Sequence, residues 1–199
     1  APEALYNIDE DPHETNNLAN DKNYNETLID LRDELNNHLV SINDLSFLPE
    51  PHLLQNGLND IVDYSEKNKD LIKSLIEISD LMLHDYDEVS SQIKDALNND
   101  NPWVRYWGLI VSSTFGDLAL ENNEKINFIF ENDSENLVRM RAAEFMLLNN
   151  IEISDSKINS LLVRSNFEAE ANLMLNTLAN LKTKDSNYKL KLGKEVFPD

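Results

Sequence analysis

The side chains with the greatest capacity for chemistry in this chain are acidic. Asp9, Asp11 and Glu14 crowd a single turn. Carboxylates at that density can hold calcium, but an EF-hand loop needs Gly at its sixth position and Glu at its twelfth. Counted from Asp9, those positions hold Glu14 and Asn20, so a solvated turn is expected. The histidines are His13, His38, His52 and His84, and none lies three or four residues from another. No helix therefore presents two imidazoles to one metal. His13 and His52 are worth watching because both fall in the least repetitive part of the chain. There is no cysteine, which excludes disulfides, thiolate zinc sites and a cysteine nucleophile from this chain. No Gly-rich phosphate loop is present, and nothing argues for a Ser–His–Asp arrangement.

Binding chemistry is better represented. Trp103, Tyr106 and Trp107 concentrate the aromatic surface. Such rings can stack on sugars, but at helical spacing they read first as core between helices. Trp103, beside Pro102 at a helix start, is expected to be the more exposed tryptophan. Arg105, Arg139, Arg141 and Arg164 recur downstream. Guanidinium groups bind sulfate or carboxylate. Among 37 acidic and 17 basic side chains, ion pairs between neighbouring helices are the leading reading. Trp103, Tyr106, Arg105 and Arg139 form the candidate interaction surface.

The formal charge of −20 narrows the partners. It disfavours the phosphate backbone of nucleic acid, whose binding depends on Lys and Arg. It disfavours anionic membranes, and it repels a sulfated polysaccharide at long range. It also favours solubility. Apolar runs are too short to span a bilayer. A length of 199 residues allows one or two domains with a sizeable core. The chain begins Ala1-Pro2 rather than with Met, so a fragment or processed product is expected.

The elements that must position these groups are helical. Asn and Asp clusters, more than Gly or Pro, punctuate the chain and suit caps and turns. Leu5, Tyr6 and Ile8 read as a short strand, and Asp9 to Pro12 as a turn. A lone strand is unstable and needs partners that little in this chain supplies. A helix follows from about Asp21 to Leu39, with Asn20 or Asp21 as its N-cap. Tyr24, Leu28, Leu31, Leu35, Leu39 and Ile42 form one apolar stripe on it, which needs an external surface.

Residues 43–63 lack periodicity and read as a linker with a short helical turn near Leu53. The resulting division is 1–48, a linker at 49–64, and 65–199. From Ser65 the spacing predicts successive helices. Leu71 to Leu83 marks one and Tyr86 to Leu97 the next, where Asp85 and Glu88 have capping-box spacing. Pro102 suits a first turn, and Gly116 ends that helix after Phe115. Further helices are predicted at about 123–131, 135–148, 155–163 and 167–181. The last fifteen or so residues are expected to form a short helix and a frayed end.

Two of these helices share a pattern. Val104-Arg105 and Val138-Arg139 are 34 residues apart, the size of one helix–turn–helix repeat. Each follows an Asp-rich turn (Asp100, Asp133) and precedes small residues, Gly108 or Ala142 and Ala143. The Val suits a core between repeats, and the Arg can reach an acid on the neighbouring repeat. The small residue permits close helix approach. A degenerate third copy starts near Asn166. The pattern resembles HEAT-like repeats, whose stacked pairs bury each other and whose end copies are atypical.

The N-terminal stretch carries a second resemblance. Leu5-Tyr6-Asn7-Ile8, Asp11-Pro12 and Glu14-Thr15-Asn16-Asn17-Leu18-Ala19 resemble the C-terminal signature of sulfatases of the alkaline-phosphatase-like superfamily. Leu28, Leu31-Arg32 and Leu35 match the helix that follows that signature, of form L-x-x-L-R-x-x-L. Ala4 and Asn7 depart from it, where Glu and Asp are commoner. The match covers about the first fifty residues. The remainder resembles the HEAT-like extension of some bacterial sulfatases, sulfamidase-like members included.

The family hydrolyses sulfate esters or sulfamates with calcium and a formylglycine made within a C/S-x-P-x-R motif. That motif is absent here, so the family's catalytic residues have no counterpart in this chain. The resemblance implies an all-α HEAT-like array preceded by the end of a sulfatase C-terminal subdomain. It implies a non-catalytic appendage of a sulfuric ester hydrolase, itself without cofactor or metal. The partner would be the parent's catalytic domain, or another protein or second copy, in the periplasm or outside the cell. The alternative is a free-standing helical-repeat module that binds protein.

Overall fold

Short polar side chains set where the helices begin. Asp21 accepts a hydrogen bond from the Asn23 amide at 2.9 Å and starts a 3-10 turn, Lys22–Tyr24. This turn feeds α1, Asn25–Ser41. Asp44 starts a second 3-10 turn, Leu45–Phe47, in the same way. Then come α2, Glu50–Asn56, and α3, Ile61–Lys67, the latter capped by Asp60. Helices α4 (Lys69–Asp80), α5 (Tyr86–Leu97), α6 (Pro102–Phe115) and α7 (Asn123–Asn132) follow. After them come α8 (Asn136–Leu148), α9 (Asp155–Val163) and α10 (Glu168–Thr183). Asn101 caps α6 through the Trp103 amide, with Pro102 in the first turn. Gly116, at φ 53°, ends α6 in a backbone region that L side chains avoid.

The computed structural model describes residues 3–165, 167–183 and 191–196, and its regular structure is all α. No strand occurs among the described residues. Residues 184–190 and 197–199, where much of the expected frayed end falls, lie outside them, as does Asn166. Lys194–Val196 forms a 3-10 turn.

Three expectations are corrected. The stretch Leu5 to Ile8 is not a strand. Its backbone finds acceptors and donors locally instead: the Leu5 amide donates to Asn17 Oδ1 at 2.9 Å, and the Leu18 amide donates to the Leu5 carbonyl at 2.7 Å. With no strand to pair with, a side-chain amide and a returning loop satisfy it. The Asp85 capping box does not form; Glu88 donates its amide to the Asp85 backbone carbonyl, and the Asp85 side chain makes no cap bond. Residues 49–64, expected as a linker with a short helical turn near Leu53, hold that turn as α2 but also carry most of α3 and lie against the helical layer. Leu48 and Pro51 are buried, and the Trp107 indole donates to the Phe47 carbonyl at 2.7 Å.

The core is built from α5 packed on α6, α7 packed on α8, and α6 packed on α8, with α4 and α10 flanking. Leu97, Leu109, Ile126, Phe130, Met140 and Phe145 fill it and are essentially inaccessible. A Cβ at Gly108 would stand 3.0 Å from the Ala96 Cβ, so α5 and α6 approach as closely as glycine allows. Ala142, the equivalent position one 34-residue step later, is fully buried too. Val104 and Val138 both enter the core. Helix α1 lies outside this layer, against α4.

Candidate functional site

The aromatic cluster is interior. Trp103 and Tyr106 are buried and Trp107 is half-buried, so the expected exposure of Trp103 is reversed. The reason is α2: its His52 ring lies 4.5 Å from Trp103, centroid to centroid, and covers the α6 start. His52 Nε2 is 2.7 Å from the Tyr64 hydroxyl, and its Nδ1 is 3.3 Å from the Asn56 amide nitrogen. Burial holds the His52 pKa below its ordinary value. A neutral imidazole between two polar partners pins α2 and α3 to α6. His52, Tyr64 and Trp103 are too far apart in sequence for any spacing rule to have joined them.

The arginines divide. Arg105 donates Nε and Nη2 to the Asp133 carboxylate at 2.7 and 2.9 Å, and Nη1 to the Asn99 and Asp100 carbonyls. The first copy of the pattern is thus bridged to the start of the second, as the ion-pair reading expects. Arg141 donates to Glu144 on its own helix and to the Tyr106 hydroxyl at 2.9 Å, with its head over the Tyr106 ring. Among the described residues Arg139 pairs with no carboxylate. Its Nε donates to the Phe130 carbonyl at 2.6 Å, and its Nη1 lacks an acceptor there. The expected pair is missing because Phe167 occupies the position 34 residues after Asp133. That absence was readable in the sequence.

These side chains do not make one open surface. Trp103 and Tyr106 are sealed, Arg105 is spent on Asp133, and Arg139 faces a different side, toward α9.

The N-terminal segment is the other candidate. Asp11 accepts from the Thr15 hydroxyl at 3.0 Å and from the Asn16 amide at 2.8 Å. That amide is the main cause of a lowered Asp11 pKa. Asn17 accepts from the Leu5 and Ala19 amides and donates to the Glu3 carbonyl. The turn ends on Glu14 in the left-handed region, φ 53°. Glu3 forms a two-pronged ion pair with Arg32 of α1, whose hydrogen bonds hold the Glu3 carboxyl below its ordinary range.

Leu5, Tyr6, Ile8 and Leu18 then line a cleft of about 280 Å³ with Tyr24 and Leu31. Ile8, Leu31, Leu35 and Ile42 remain about half exposed or more. No cluster of three or more His, Asp or Glu residues placed for a metal occurs among the described residues.

Comparison of the chain with protein-family models, curated proteins and solved structures gives no match.

Proposed function

We propose that this chain is the non-catalytic C-terminal portion of a sulfatase of the alkaline-phosphatase-like superfamily. Its role is structural: the N-terminal segment completes the parent's small subdomain, and the helical layer serves as an appendage for contacts. One observation carries the reading. Within the sulfatase-like signature, Asp11 and Asn17 fold the segment on itself and Arg32 ties it to α1 through Glu3, while Ile8, Leu31, Leu35 and Ile42 beside them lack a cover among the described residues. A segment folded to present apolar side chains needs a surface to meet them. The catalytic domain of the parent, placed in the periplasm or outside the cell, is that surface. Calcium and formylglycine belong to that domain.

The purified chain is expected to leave an aryl sulfate uncleaved and to bind no calcium tightly. Turnover by this chain alone would refute the reading. The upstream reading frame gives the second test, and a C/S-x-P-x-R motif there is expected. A start codon immediately before Ala1 would instead favour a free-standing protein-binding module. That second reading draws support from the way α4–α10 bury one another without α1.

A further inference from the structure

Arg139 is buried, with only 9% of its surface exposed, yet its Nη1 has no acceptor among the described residues. A buried guanidinium with unused donors is costly, and native structures rarely keep one without a purpose. The comparison with Arg105 is direct, because that side chain finds acceptors for Nε, Nη1 and Nη2. Arg139 lines a cleft of about 240 Å³ together with Glu131, Ser156, Lys157 and Ser160. Ser156 and Ser160 are one turn apart and share a face of α9. Ser156 lies in the first turn of that helix, where backbone amides carry partial positive charge. Arg164 is a further cation near enough to press on Arg139.

We propose that this cleft binds one tetrahedral oxyanion, sulfate or phosphate. Arg139 and Lys157 supply charge, and the two serine hydroxyls supply neutral donors, Ser156 in exchange for its 3.0 Å contact with the Ser154 hydroxyl. Such an anion has enough acceptor oxygens for all four groups, whereas a carboxylate has two. The surrounding charge of −20 excludes a polyanion, so the ligand is a free ion or a single esterified group. Glu131 is the competitor in the cleft. It holds Lys157 at 2.5 Å, but both side chains are substantially exposed, and such pairs are weak. An arriving anion takes Lys157 from it.

The test is titration of the whole chain with inorganic phosphate and, separately, inorganic sulfate. Backbone amide shifts in the first turn of α9 and the Arg139 Nε–H report binding. Saturable shifts confined to the cleft are expected. Glu131→Gln is expected to tighten binding several-fold, and Lys157→Gln to weaken it by about tenfold. Arg139→Met should abolish it. Because Arg139 is buried and that variant risks unfolding, Lys157→Gln on a half-exposed side chain carries the test by itself. No saturable shift, or equal affinity in Lys157→Gln, would overturn the proposal, as would equal binding of acetate. Methyl phosphate separates the two sources: tighter binding than inorganic phosphate marks an esterified group, weaker binding a free ion.

Discussion

Helices α1 and α5 each carry an apolar stripe, the weaker one on α1, and end in different surroundings. On α5, Tyr86, Val89, Ile93, Ala96 and Leu97 are all buried against α6 and its neighbours. On α1, only Leu28 is buried, and Leu31 and Leu35 are 47% and 56% exposed. The two regions are held by different forces. The α4–α10 layer rests on apolar burial, at about 1.5–3 kcal/mol per large side chain. The N-terminal segment and α1 rest on hydrogen bonds accepted by Asp11 and Asn17, the Glu3–Arg32 pair, and the bond from Asn36 to Asp80 of α4. The exposed links among them contribute about 0–1 kcal/mol each, and the half-buried Glu3–Arg32 and Asn36–Asp80 pairs are the stronger ones. A periodic stripe therefore states that a helix has an apolar face. It does not state what covers that face.

The sharpest way to break this contrast is to remove a side chain from each region. Phe145→Ala in α8 is expected to cost about 3–5 kcal/mol, read as a lower midpoint in urea unfolding. A loss under 1 kcal/mol would mean that the layer is loosely packed. Arg105→Met should cost about 3 kcal/mol, because the Asp133 side chain, 3% exposed, loses its partner. Replacing Asp133 by Leu in the same chain should recover part of that loss, and a double variant no better than the single would argue against the bridge. Leu35→Ala on α1 is expected to stay within about 0.5 kcal/mol of the parent chain. A large loss there would mean that the face is covered in solution.

The smallest effects are electrostatic and have opposite signs in the two regions. Hydrogen bonds from Arg32 lower the Glu3 pKa, so its contribution is present above the ordinary carboxylate pKa and is lost as pH falls through the folded value. Burial raises the Glu135 pKa, with Asp133 and Glu170 adding to it. Its contribution is present below the ordinary value and lost as pH rises through the folded one. Carboxyl-carbon NMR titration should place Glu3 below and Glu135 above the usual range. Equal midpoints would erase the distinction.

Much of the helical layer was legible because Asn, Asp, Pro and Gly mark its ends. Pro102 and Gly116 bracket α6 as expected, and α5 and α9 run between their predicted limits. The 34-residue recurrence anticipated that Val104 and Val138 are buried and that Arg105 reaches an acid on the neighbouring repeat, and the structure makes that acid Asp133. The candidate site was less legible. Trp103 was misjudged because the His52 ring that covers it comes from a segment without periodicity. Leu5 to Ile8 alternates as a strand does, but a strand requires neighbours, and Asn17 takes their place.

The sequence by itself determined the helix ends, the apolar faces, the spacing of the Val-Arg pair and the acidic charge, because these follow from local backbone preference and side-chain period. Only the tertiary structure decided which faces meet. It brought Asp133 to Arg105 and left Arg139 without a carboxylate among the described residues, and it sealed Trp103 under α2 while leaving Leu31 and Leu35 of α1 exposed. Burial and charge pairing depend on groups far apart in the chain, and no local pattern encodes where those groups come to rest.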